Sequence, residues 1–399
     1  MPLSHKTFGR LLINPNKFFN STYGVGIRKL IANEKSIWKI VDFGDAQVFE
    51  TATTYTCLIF LSKKSNEMLQ YVPIFNENDF ILLDSGQLSF QTHKIPKGND
   101  DWAFSATNEA SIWEKFSKLE TLIDYCDEIF QGLISGGDKL FFLEFIAEND
   151  KFIRAKSTIT NTVFDIEKEL CFKLLKGSEI KRYSQPQNKF VALFPYFLND
   201  FQRTALIPEI TLKTKYPKTY HYLSTFRREL STRGSERMEY ESWYAMWCPR
   251  TLEKFTANKI ITQVLASSAN YTVDYTGKTL FVGGGNAGGY GIIPKDENNL
   301  LYLLGLLNSN LMDFYLHKHS SKFRGGFFSY ARRFIQNCPI PKATKAQQTK
   351  IAEIADEIIE AKKQNPKAET SKLEGKVDEL VYQLYGLTDE EIRIVEGKE

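Results

Sequence analysis

The sequence GRLLINPNKFFNSTYGVGIRKLIANEKSIWKIVDF, residues 9–43, alternates short apolar runs with one helical pattern. RLLINPN predicts a short strand that ends in a turn, and WKIVDF predicts a second, buried strand. Between them lies an amphipathic helical spacing, formed by Val25, Ile27, Leu30 and Ile31. A third strand is predicted in TTYTCLIFLSKK, residues 53–64. Apolar strands separated by a helix are typical of an α/β sheet covered on both faces, and three strands form only the edge of such a sheet.

The remainder of the chain predicts an irregular α+β construction. Short β-like runs such as KFIRAKSTIT and NKFVALFPYF are interspersed with helical pieces. EIFQGLISGGDKLFFLE, residues 128–144, is predicted to form two strands around a Gly-Gly-Asp turn. IAEIADEIIEAKK and SKLEGKVDELVYQLYG predict two amphipathic helices at the end of the chain, with capping-box spacing at Ser371/Glu374 and at Thr388/Glu391 before a short third helix. The expected fold class is therefore α+β.

The composition is that of a globular protein. Of its 399 residues, 42% are hydrophobic and 25% are charged, and no apolar run approaches the roughly 18 residues that span a bilayer. The first residues do not resemble a secretory leader. The five cysteines lie far apart, without a CxxC or Cys/His grouping, at Cys57, Cys126, Cys171, Cys248 and Cys338. We therefore expect a cytoplasmic protein with no membrane partner and no metal site.

Charge is distributed unevenly along the chain. Residues 151–350 carry 30 Lys or Arg against 15 Asp or Glu, although the formal net charge of the whole chain is only +3. Within this part, residues 317–350 have eight basic side chains and no acidic one. Such a basic centre predicts a polyanionic partner, because each phosphate that Lys or Arg neutralises releases counterions. The alternative is a solvated surface that happens to be basic, and charge alone favours neither hypothesis.

Two segments combine basic with aromatic residues and are the candidate nucleic-acid contacts. TFRRELSTRGSERMEYESWYAMWCPR contributes Arg227, Arg228, Arg233 and Arg237. HKHSSKFRGGFFSYARRF contributes Lys318, Lys322, Arg324, Tyr330, Arg332 and Arg333. Arginine contacts phosphates and guanine edges, and aromatic side chains stack or wedge against bases. In the alternative, the aromatic residues belong to the core and the arginines of the first segment pair with its glutamates, whereas the second segment has no acidic neighbours in sequence.

With these segments in view, the chain resembles the N6-adenine DNA methyltransferases of the type IIG restriction–modification group, whose C-terminal part is a TaqI-like specificity domain. GRLLINPNKFF and IVDFGDAQVFETATTYTCLIFLSK look like the last strands of that family's catalytic domain. EIFQGLISGGDKLFFL is similar to the opening of its target-recognition domain, and LLGLLNSNLMDFYL with CPIP is similar to its close. The resemblance implies four parts: a C-terminal remnant of the Rossmann-like methyltransferase domain over residues 1–66, a connector over 67–119, a TaqI-like target-recognition domain over 120–342, and C-terminal helices over 343–399.

The same resemblance implies that catalysis needs a second component. The family binds S-adenosylmethionine through a glycine-containing loop and handles an extruded adenine with an Asn/Asp-Pro-Pro-Tyr/Phe motif. This sequence has neither, since Asn14-Pro15-Asn16 lacks the second proline and the aromatic residue. No catalytic residue is therefore assigned here, and an upstream fragment or subunit is expected to supply the S-adenosylmethionine site of the completed enzyme.

Double-stranded DNA is the partner that the resemblance implies for this chain, which is expected to recognise sequence without methylating on its own. Asp138 and Lys139, at the GGDK turn, are further candidate contacts. The alternative is a non-catalytic specificity subunit or a decayed gene remnant. An upstream reading frame that ends in Pro-Pro-Tyr would favour the split enzyme, whereas its absence, together with an exposed apolar edge around RLLINP and WKIVDF, would favour the remnant.

Overall fold

The computed structural model describes residues 9–44, 46, 48–49, 54–74, 77–102, 104, 109–184, 189–201, 203–234, 239–249, 251–283 and 285–398. Its strands are β1 Arg10–Pro15, β2 Ile37–Asp42, β3 Thr56–Leu61, β4 Met68–Pro73, β5 Gln91–Lys94, β6 Glu120–Thr121, β7 Cys126–Gln131, β8 Phe142–Glu148, β9 Phe152–Lys156, β10 Val163–Glu167, β11 Cys171–Leu175, β12 Phe190–Leu193, β13 Tyr196–Leu198, β14 Thr204–Leu206, β15 Lys259–Gln263, β16 Leu265–Ala266, β17 Tyr271–Asp274, β18 Thr279–Phe281, β19 Gly289–Pro294, β20 Lys322–Phe323, β21 Phe327–Ser329 and β22 Pro339–Ile340. Its α-helices are α1 Val25–Glu34, α2 Glu77–Asp84, α3 Ala110–Phe116, α4 Asp138–Phe141, α5 Glu209–Lys215, α6 Pro217–Thr225, α7 Arg227–Thr232, α8 Leu252–Thr256, α9 Leu300–Leu307, α10 Asn310–His319, α11 Arg332–Ile335, α12 Lys345–Gln364, α13 Ser371–Leu384 and α14 Asp389–Val395. Among these described helices, none combines the length and the apolar character needed to cross a membrane.

Strands and helices are mixed along the whole chain, which confirms the predicted α+β class. The chain forms two compact units. The first comprises Met1–Lys118, Phe314–Ser329 and Leu387–Glu399, and the second comprises Leu119–Asp313 and Tyr330–Gly386. Each unit therefore combines segments that are far apart in the sequence.

The first unit contains a five-stranded sheet in the order β1-β3-β2-β4-β5. β3 runs antiparallel to both β1 and β2, β2 and β4 are parallel, and β5 is antiparallel to β4. The three strands predicted within residues 9–64 are present, and β4 and β5, which lie within residues 67–119, add two more. Because β1, β2 and β4 run in the same direction, their carboxyl ends lie at one edge of the sheet.

Alternating residues of the central strands enter two apolar layers, one on each face of the sheet. Ile40 and Ile59 belong to one layer, into which Trp102 also packs. Val41 and Val72 belong to the opposite layer. The centre of the sheet is therefore covered on both faces, as the continuous apolar runs predict.

β1 is an edge strand whose apolar side chains face solvent. Leu11, Leu12 and Ile13 are 57%, 42% and 50% exposed. Among the described strands, β1 pairs only with β3. An exposed apolar edge is thus present at RLLINP, whereas the WKIVDF strand, β2, lies between β3 and β4 in the interior of the sheet.

Two later segments of the chain complete the first unit. Trp113 of α3 stacks on Phe314 of α10, with the ring centroids 5.6 Å apart. Lys115 of α3 forms an ion pair with Glu391 of α14. β20 and β21 form an antiparallel hairpin. The first unit therefore depends on side chains from both ends of the chain.

The second unit is built on a six-stranded sheet, β10-β9-β8-β12-β11-β18, and a four-stranded sheet, β17-β15-β19-β7. Two small sheets, β13-β14 and β22-β6, accompany them. Phe130 and Ile261 of the four-stranded sheet and Leu143 and Leu174 of the six-stranded sheet belong to one apolar core. This matches the irregular α+β construction predicted for the middle of the chain.

The two strands predicted around the Gly-Gly-Asp turn are present as β7 and β8, but they do not pair with each other as a hairpin. β7 and β8 belong to different sheets, and Asp138 begins the short helix α4. The Ser135 hydroxyl accepts a hydrogen bond from the Gly137 amide at 3.0 Å and donates one to the Asp138 carboxylate. This local side-chain bonding competes with a hairpin ladder and turns the chain into a helix.

The predicted helices at the end of the chain are present as α12, α13 and α14. The capping box of Thr388 and Glu391 is confirmed. The one at Ser371 is wrong, because Thr370 is the N-cap residue of α13 and its hydroxyl donates to the Glu374 carboxylate at 2.6 Å.

Candidate nucleic-acid interface

A partly buried carboxylate, that of Asp42, lies where the carboxyl ends of β1, β2 and β4 meet. Asp42 accepts hydrogen bonds from the Asn16 amide group at 2.9 Å, the Gly44 backbone amide at 3.0 Å and the Tyr71 hydroxyl at 3.1 Å. Burial raises the pKa of Asp42, and these donors together with the charge of Lys322 partly oppose that effect. In sheets with parallel strands, ligands bind outside the carboxyl ends of the strands. This edge is therefore the best-formed polar site of the first unit.

The β20–β21 hairpin brings part of the basic run to the same edge. The backbone amide of Arg324 donates to the Tyr55 hydroxyl at 2.8 Å, and Tyr55 immediately precedes β3. The Lys17 ammonium lies 4.5 Å from the centre of the Phe323 ring. These contacts join the hairpin to the residues that follow β1 and precede β3. The position of the hairpin is therefore defined by side chains of the first sixty residues.

The tip of the hairpin is formed by two glycines in a conformation that other residues rarely adopt. Gly325 and Gly326 have φ angles of +85° and +76°, and glycine accommodates these angles because it has no Cβ. The side chains of Lys322 and Arg324 are exposed beside the tip, and Phe327 is 43% exposed. Two cations, an aromatic ring and a side-chain-free backbone are suited to the phosphates and base faces of a nucleic acid.

Lys318, the first basic residue of the run, has an acidic partner. Its ammonium lies 2.5 Å from the carboxylate of Glu109, which is itself buried, and 5.5 Å from the centre of the Phe314 ring. Because a buried carboxylate needs a charged or hydrogen-bonding partner, this pair supports the packing of α10 against α3.

In the second unit, Asp138 and Lys139 lie on the exposed first turn of α4. The Asp138 carboxylate accepts a hydrogen bond from Ser135, which fixes the turn before the helix. In the part of the chain that the structure describes, the Lys139 ammonium has no hydrogen-bond or ion-pair partner. Lys139 is therefore available to an external anion.

Arg233 lies partly buried beside the same turn. Its guanidinium is 4.2 Å from the centre of the Tyr240 ring and donates hydrogen bonds to the carbonyl oxygens of Trp243, at 3.4 Å, and Ala245. Desolvation lowers its pKa. Arg233 is thus used within the protein to hold the segment that follows α7.

The other arginines of this segment have different surroundings. Arg227 pairs with Glu209 at 3.3 Å and lies 4.4 Å from the centre of the Trp243 ring. Arg228 is exposed, and among the described residues its guanidinium has no partner. Arg237 lies outside the described residues. The pairing with neighbouring glutamates considered from the sequence is not what holds Arg227, because Glu209 comes from α5.

Tyr330 is a core residue of the second unit. It is fully buried, its hydroxyl donates to the Asp313 carboxylate at 2.6 Å, and its backbone amide donates to the Val264 carbonyl at 2.8 Å. Burial raises the pKa of its phenol, and the adjacent carboxylate adds to the shift. Its ring therefore stabilises the start of α11 rather than lying open to a base.

Arg332 and Arg333 are exposed on α11. The Arg332 guanidinium lies 3.8 Å from Glu128 of β7, and that of Arg333 lies 4.4 Å from the centre of the Phe334 ring. This segment has no acidic neighbours in the sequence, but in the fold Glu128 of β7 lies beside it. An exposed pair at this distance is weak and can exchange for a phosphate.

Lys17, Asp42 and Tyr55 were not among the residues singled out from the sequence. The signal that could have found them is the position of each at the end of a predicted strand, because strand ends at one edge of a sheet lie together. Among the described residues, no group of three or more His, Cys, Asp or Glu side chains is placed to hold a metal ion.

Comparison with known proteins identifies two matching family models. The TaqI-like C-terminal specificity domain matches residues 172–340, and the Eco57I restriction-modification methylase matches residues 5–49. The first match includes β20, β21 and α11, and the second includes β1, α1 and β2. These matches confirm the resemblance that the sequence segments indicate.

Similar curated proteins are type II restriction–modification enzymes. The type II restriction enzyme and methyltransferase RM.Eco57I of Escherichia coli is 25% identical over 84% of this chain and 35% of its own length. The type II methyltransferase M.BanIII of Aneurinibacillus aneurinilyticus is 24% identical over 94% of this chain and 67% of its own length. The chain thus spans about one third of the first relative and two thirds of the second.

A similar fold occurs in a solved structure of the type IIL restriction–modification enzyme MmeI in complex with DNA. The match covers 97% of this chain and 48% of that chain, with a TM-score of 0.61 and 12% sequence identity. The two chains therefore share a fold.

Proposed function

We propose, starting from the relationship of this chain to restriction–modification methyltransferases with a TaqI-like specificity domain, that it is the DNA-recognition part of a site-specific N6-adenine DNA methyltransferase. The observation that supports this most directly is the β20–β21 hairpin. Its sequence lies in the segment that matches the specificity domain, yet it is anchored to Tyr55 in the same compact unit as the strands that match the methylase. A DNA-contacting element is thereby held at the polar edge of a methylase-like sheet.

The exposed basic side chains are proposed as direct DNA contacts, namely Lys139, Arg227, Arg228, Lys322, Arg324, Arg332 and Arg333. Their charges would neutralise phosphates and release counterions. Lys318, Arg233 and Tyr330 are proposed to shape the interface from within, because Glu109, two backbone carbonyls and Asp313 occupy their polar groups. Asp138 is proposed to orient the turn that presents Lys139.

Methyl transfer from S-adenosylmethionine is proposed to need a separate fragment or subunit that carries the cofactor loop and the Pro-Pro motif. Asn16 does not fit the part of the catalytic amide, because its Nδ2 already donates to the Asp42 carboxylate and to the Gly44 carbonyl, both at 2.9 Å. In the completed enzyme this chain would bind and orient the duplex while the target adenine is extruded from the stack.

The exposed edge strand supports the idea of a partner fragment. β1 presents Leu11, Leu12 and Ile13 to solvent, and Tyr23 and Leu30, which lie before and within α1, are also exposed. An exposed apolar edge strand can extend its sheet by pairing with another strand. A methyltransferase fragment that adds strands beyond β1 would cover this surface.

The same edge keeps a second candidate function open, that of a non-catalytic specificity subunit or decayed remnant. That hypothesis expects exposure of both RLLINP and WKIVDF. RLLINP is exposed, but WKIVDF is not, since Ile40 and Val41 of β2 are buried. A specificity subunit of this kind would still bind DNA and would dock on a partner protein, without taking part in methyl transfer itself.

The test is binding of the full chain to a randomised duplex library at two salt concentrations, with a tritiated S-adenosylmethionine transfer assay on the same sample. We expect sequence-selective binding that weakens steeply with salt, and no methyl transfer by the chain alone. Addition of the cofactor-binding segment of M.BanIII is expected to restore transfer to adenine in the selected sequences.

Absence of sequence selectivity at both salt concentrations would contradict the recognition function. Selective binding without transfer after addition of the segment would favour the non-catalytic subunit. Transfer by the chain alone would show that its own residues form a complete catalytic site.

A further inference from the structure

The first unit has a second basic surface at the opposite edge of its sheet from the hairpin. A concave pocket of about 660 Å³ lies between the end of α1, the start of β4 and the loop that follows β5. β2 and β4 begin at this edge and end at the hairpin edge, so the two sites are separated by six-residue strands, or about 20 Å. A single duplex contact at the hairpin therefore does not account for this pocket.

Four lysines line the pocket, and three of them are unpartnered. Lys35 pairs with Glu67. Within the described part of the chain, the exposed ammonium groups of Lys29, Lys94 and Lys97 have no hydrogen-bond or ion-pair partner. Three like charges around one concavity repel each other, and a bound polyanion would relieve that repulsion.

The wall of the pocket is held in place by backbone contacts rather than by the lysines. The Ile95 amide donates to the Glu67 carbonyl at 3.3 Å, and the indole of buried Trp102 donates to the Lys97 carbonyl at 3.3 Å. A Cβ added to Gly98 would lie 2.4 Å from the Cα of Lys29. The backbone of the loop that carries Lys97 is thus packed directly on α1 without any contribution from the lysine side chains.

We propose that this pocket binds the phosphate groups of a compact polyanion, at a site distinct from the DNA-recognition surface. Lysine ammonium groups bind phosphate oxygens as point charges, and a volume of this size suits a small ligand. The phosphates would come either from a free nucleotide or from a DNA segment outside the recognised sequence. The pocket itself is defined by Lys29, Lys94 and Lys97, and only the duplex arm of its test rests on the proposed recognition function.

The experiment uses the full chain and two probes, inorganic pyrophosphate and a 40-base-pair duplex that lacks the recognised sequence. Pyrophosphate binding is measured by calorimetry and duplex binding by fluorescence anisotropy, both at low salt. The test variant is Lys94→Gln/Lys97→Gln. The matched control is Lys63→Gln/Lys64→Gln, which removes two exposed lysines of the same unit outside the pocket.

We expect the test variant, but not the control, to lose at least about tenfold in affinity, since each charge-assisted contact is worth roughly a tenfold factor. A loss seen with pyrophosphate assigns the pocket to a free nucleotide. A loss seen only with the duplex assigns it to distant DNA phosphates. Equal affinities of the test and control variants for both probes would overturn the proposal, and selective binding to the recognised sequence is expected to remain in either case.

Discussion

Arg324 and Arg332 belong to the same acid-free run but have different surroundings. The backbone of Arg324 is anchored to Tyr55, and its side chain is exposed beside the glycine tip. The guanidinium of Arg332 lies 3.8 Å from Glu128. Because an exposed pair contributes only about 0 to 1 kcal/mol, a phosphate can displace Glu128 at small cost. The two residues therefore differ mainly in how their surroundings hold them. Both guanidinium groups are exposed and can be reached by a phosphate.

Replacement of Arg324 by alanine is expected to weaken DNA binding to all sequences alike. If Arg324 contacts a phosphate, the slope of log affinity against log salt concentration should fall by about one, because one fewer counterion is released. Anisotropy titrations at several salt concentrations measure this slope. Lys350→Ala, a change in the same basic run on α12, is the control, and equal effects of the two variants would contradict a specific role for the hairpin.

Replacement of Tyr330 by phenylalanine is expected to lower stability without lowering the DNA affinity of the folded protein. The change removes the buried hydrogen bond to Asp313 and costs about 1 to 3 kcal/mol. Urea unfolding measures the loss, with Tyr275→Phe at a more exposed position of the same unit as the control. A stable Tyr330→Phe variant that binds DNA weakly would instead identify the hydroxyl as a DNA contact.

The N-cap of α13 illustrates what local spacing cannot decide. Ser371 and Thr370 are adjacent and both are good cap residues, but Glu374 is drawn toward Arg182 and Lys362, at 2.6 and 3.1 Å. This carboxylate therefore accepts from Thr370. The capping box at Thr388 was predictable because its acidic partner follows from sequence alone, whereas the choice at Thr370 depends on residues far away in the chain.

At the scale of single elements, α14 is attached to α3 by the ion pair of Glu391 with Lys115. Burial opposes ionisation of Glu391, but hydrogen bonds from Lys115 and from the Thr388 backbone outweigh it and lower the pKa to about 2 from an ordinary value of 4.5. Because the folded-state pKa lies below the unfolded-state value, the stabilisation is fully present above pH 4.5. It is lost as the pH falls through 2.

Replacement of Glu391 by glutamine is therefore expected to destabilise the protein by roughly 2 to 3 kcal/mol at pH 7. The difference from the unmodified protein should stay constant down to about pH 4.5 and narrow as the pH falls from there toward 2. Denaturant unfolding at several pH values measures it. Glu390→Gln, an exposed neighbour on the same helix, should show no such trend, and a pH-independent deficit for Glu391→Gln would contradict the assigned pair.

β15 and β17 are joined by a buried ion pair as well as by their ladder. Lys259 and Asp274 face each other in register, their charged groups are 2.6 Å apart, and both side chains are almost completely buried. Burial lowers the pKa of Lys259, and Asp274 opposes this by favouring the charged form. Removal of one partner leaves the other charge buried without compensation.

Replacement of Asp274 by asparagine is expected to cost about 3 to 5 kcal/mol of stability, as measured by urea unfolding. The double variant Lys259→Met/Asp274→Asn should be less destabilised than the single variant, because the uncompensated ammonium is removed. If the double variant is equally unstable, packing rather than charge accounts for the loss.

Elements with strong local patterns were predictable, and elements fixed by tertiary contacts were not. α1, β2, β3, α12 and α13 are present where their apolar patterns predict them, although Ile27 and Leu30 of the predicted apolar face of α1 are exposed. The short helix α4 was missed because Ser135 redirects the chain through one side-chain hydrogen bond to Gly137. The basic run at residues 317–350 was identified from charge, but the β20–β21 hairpin within it and the anchor of that hairpin at Tyr55 depend on the fold.

At the scale of the whole molecule, the continuous basic run of the sequence is divided between the two units. Lys318, Lys322 and Arg324 belong to the first unit, and Arg332 and Arg333 belong to the second. The sequence could indicate a polyanion partner because the number of basic and acidic residues in a segment is the same before and after folding. It could not indicate this division, since the division follows from which segments pack together.

The exposed edge of β1 is expected to make the isolated chain self-associate at high concentration, because an apolar strand edge pairs with other edges. Ile13→Lys should reduce this association without lowering the unfolding midpoint, since Ile13 is half exposed. Sedimentation velocity over a concentration series measures it. Ile210→Lys, at an exposed apolar position on α5, is the control. An equal decrease in self-association in both variants would show that general surface hydrophobicity, rather than the edge of β1, is responsible.

The discontinuous make-up of the first unit has a consequence for how the protein is synthesised. Strands β1 to β5 leave the ribosome early, but the segments Phe314–Ser329 and Leu387–Glu399 follow only much later. At a translation rate of roughly 5 to 20 residues per second, these segments are synthesised on the order of ten seconds or more after the sheet. During that delay Trp113 lacks Phe314, its eventual stacking partner. The first unit is therefore expected to complete its folding only after α14 has been synthesised.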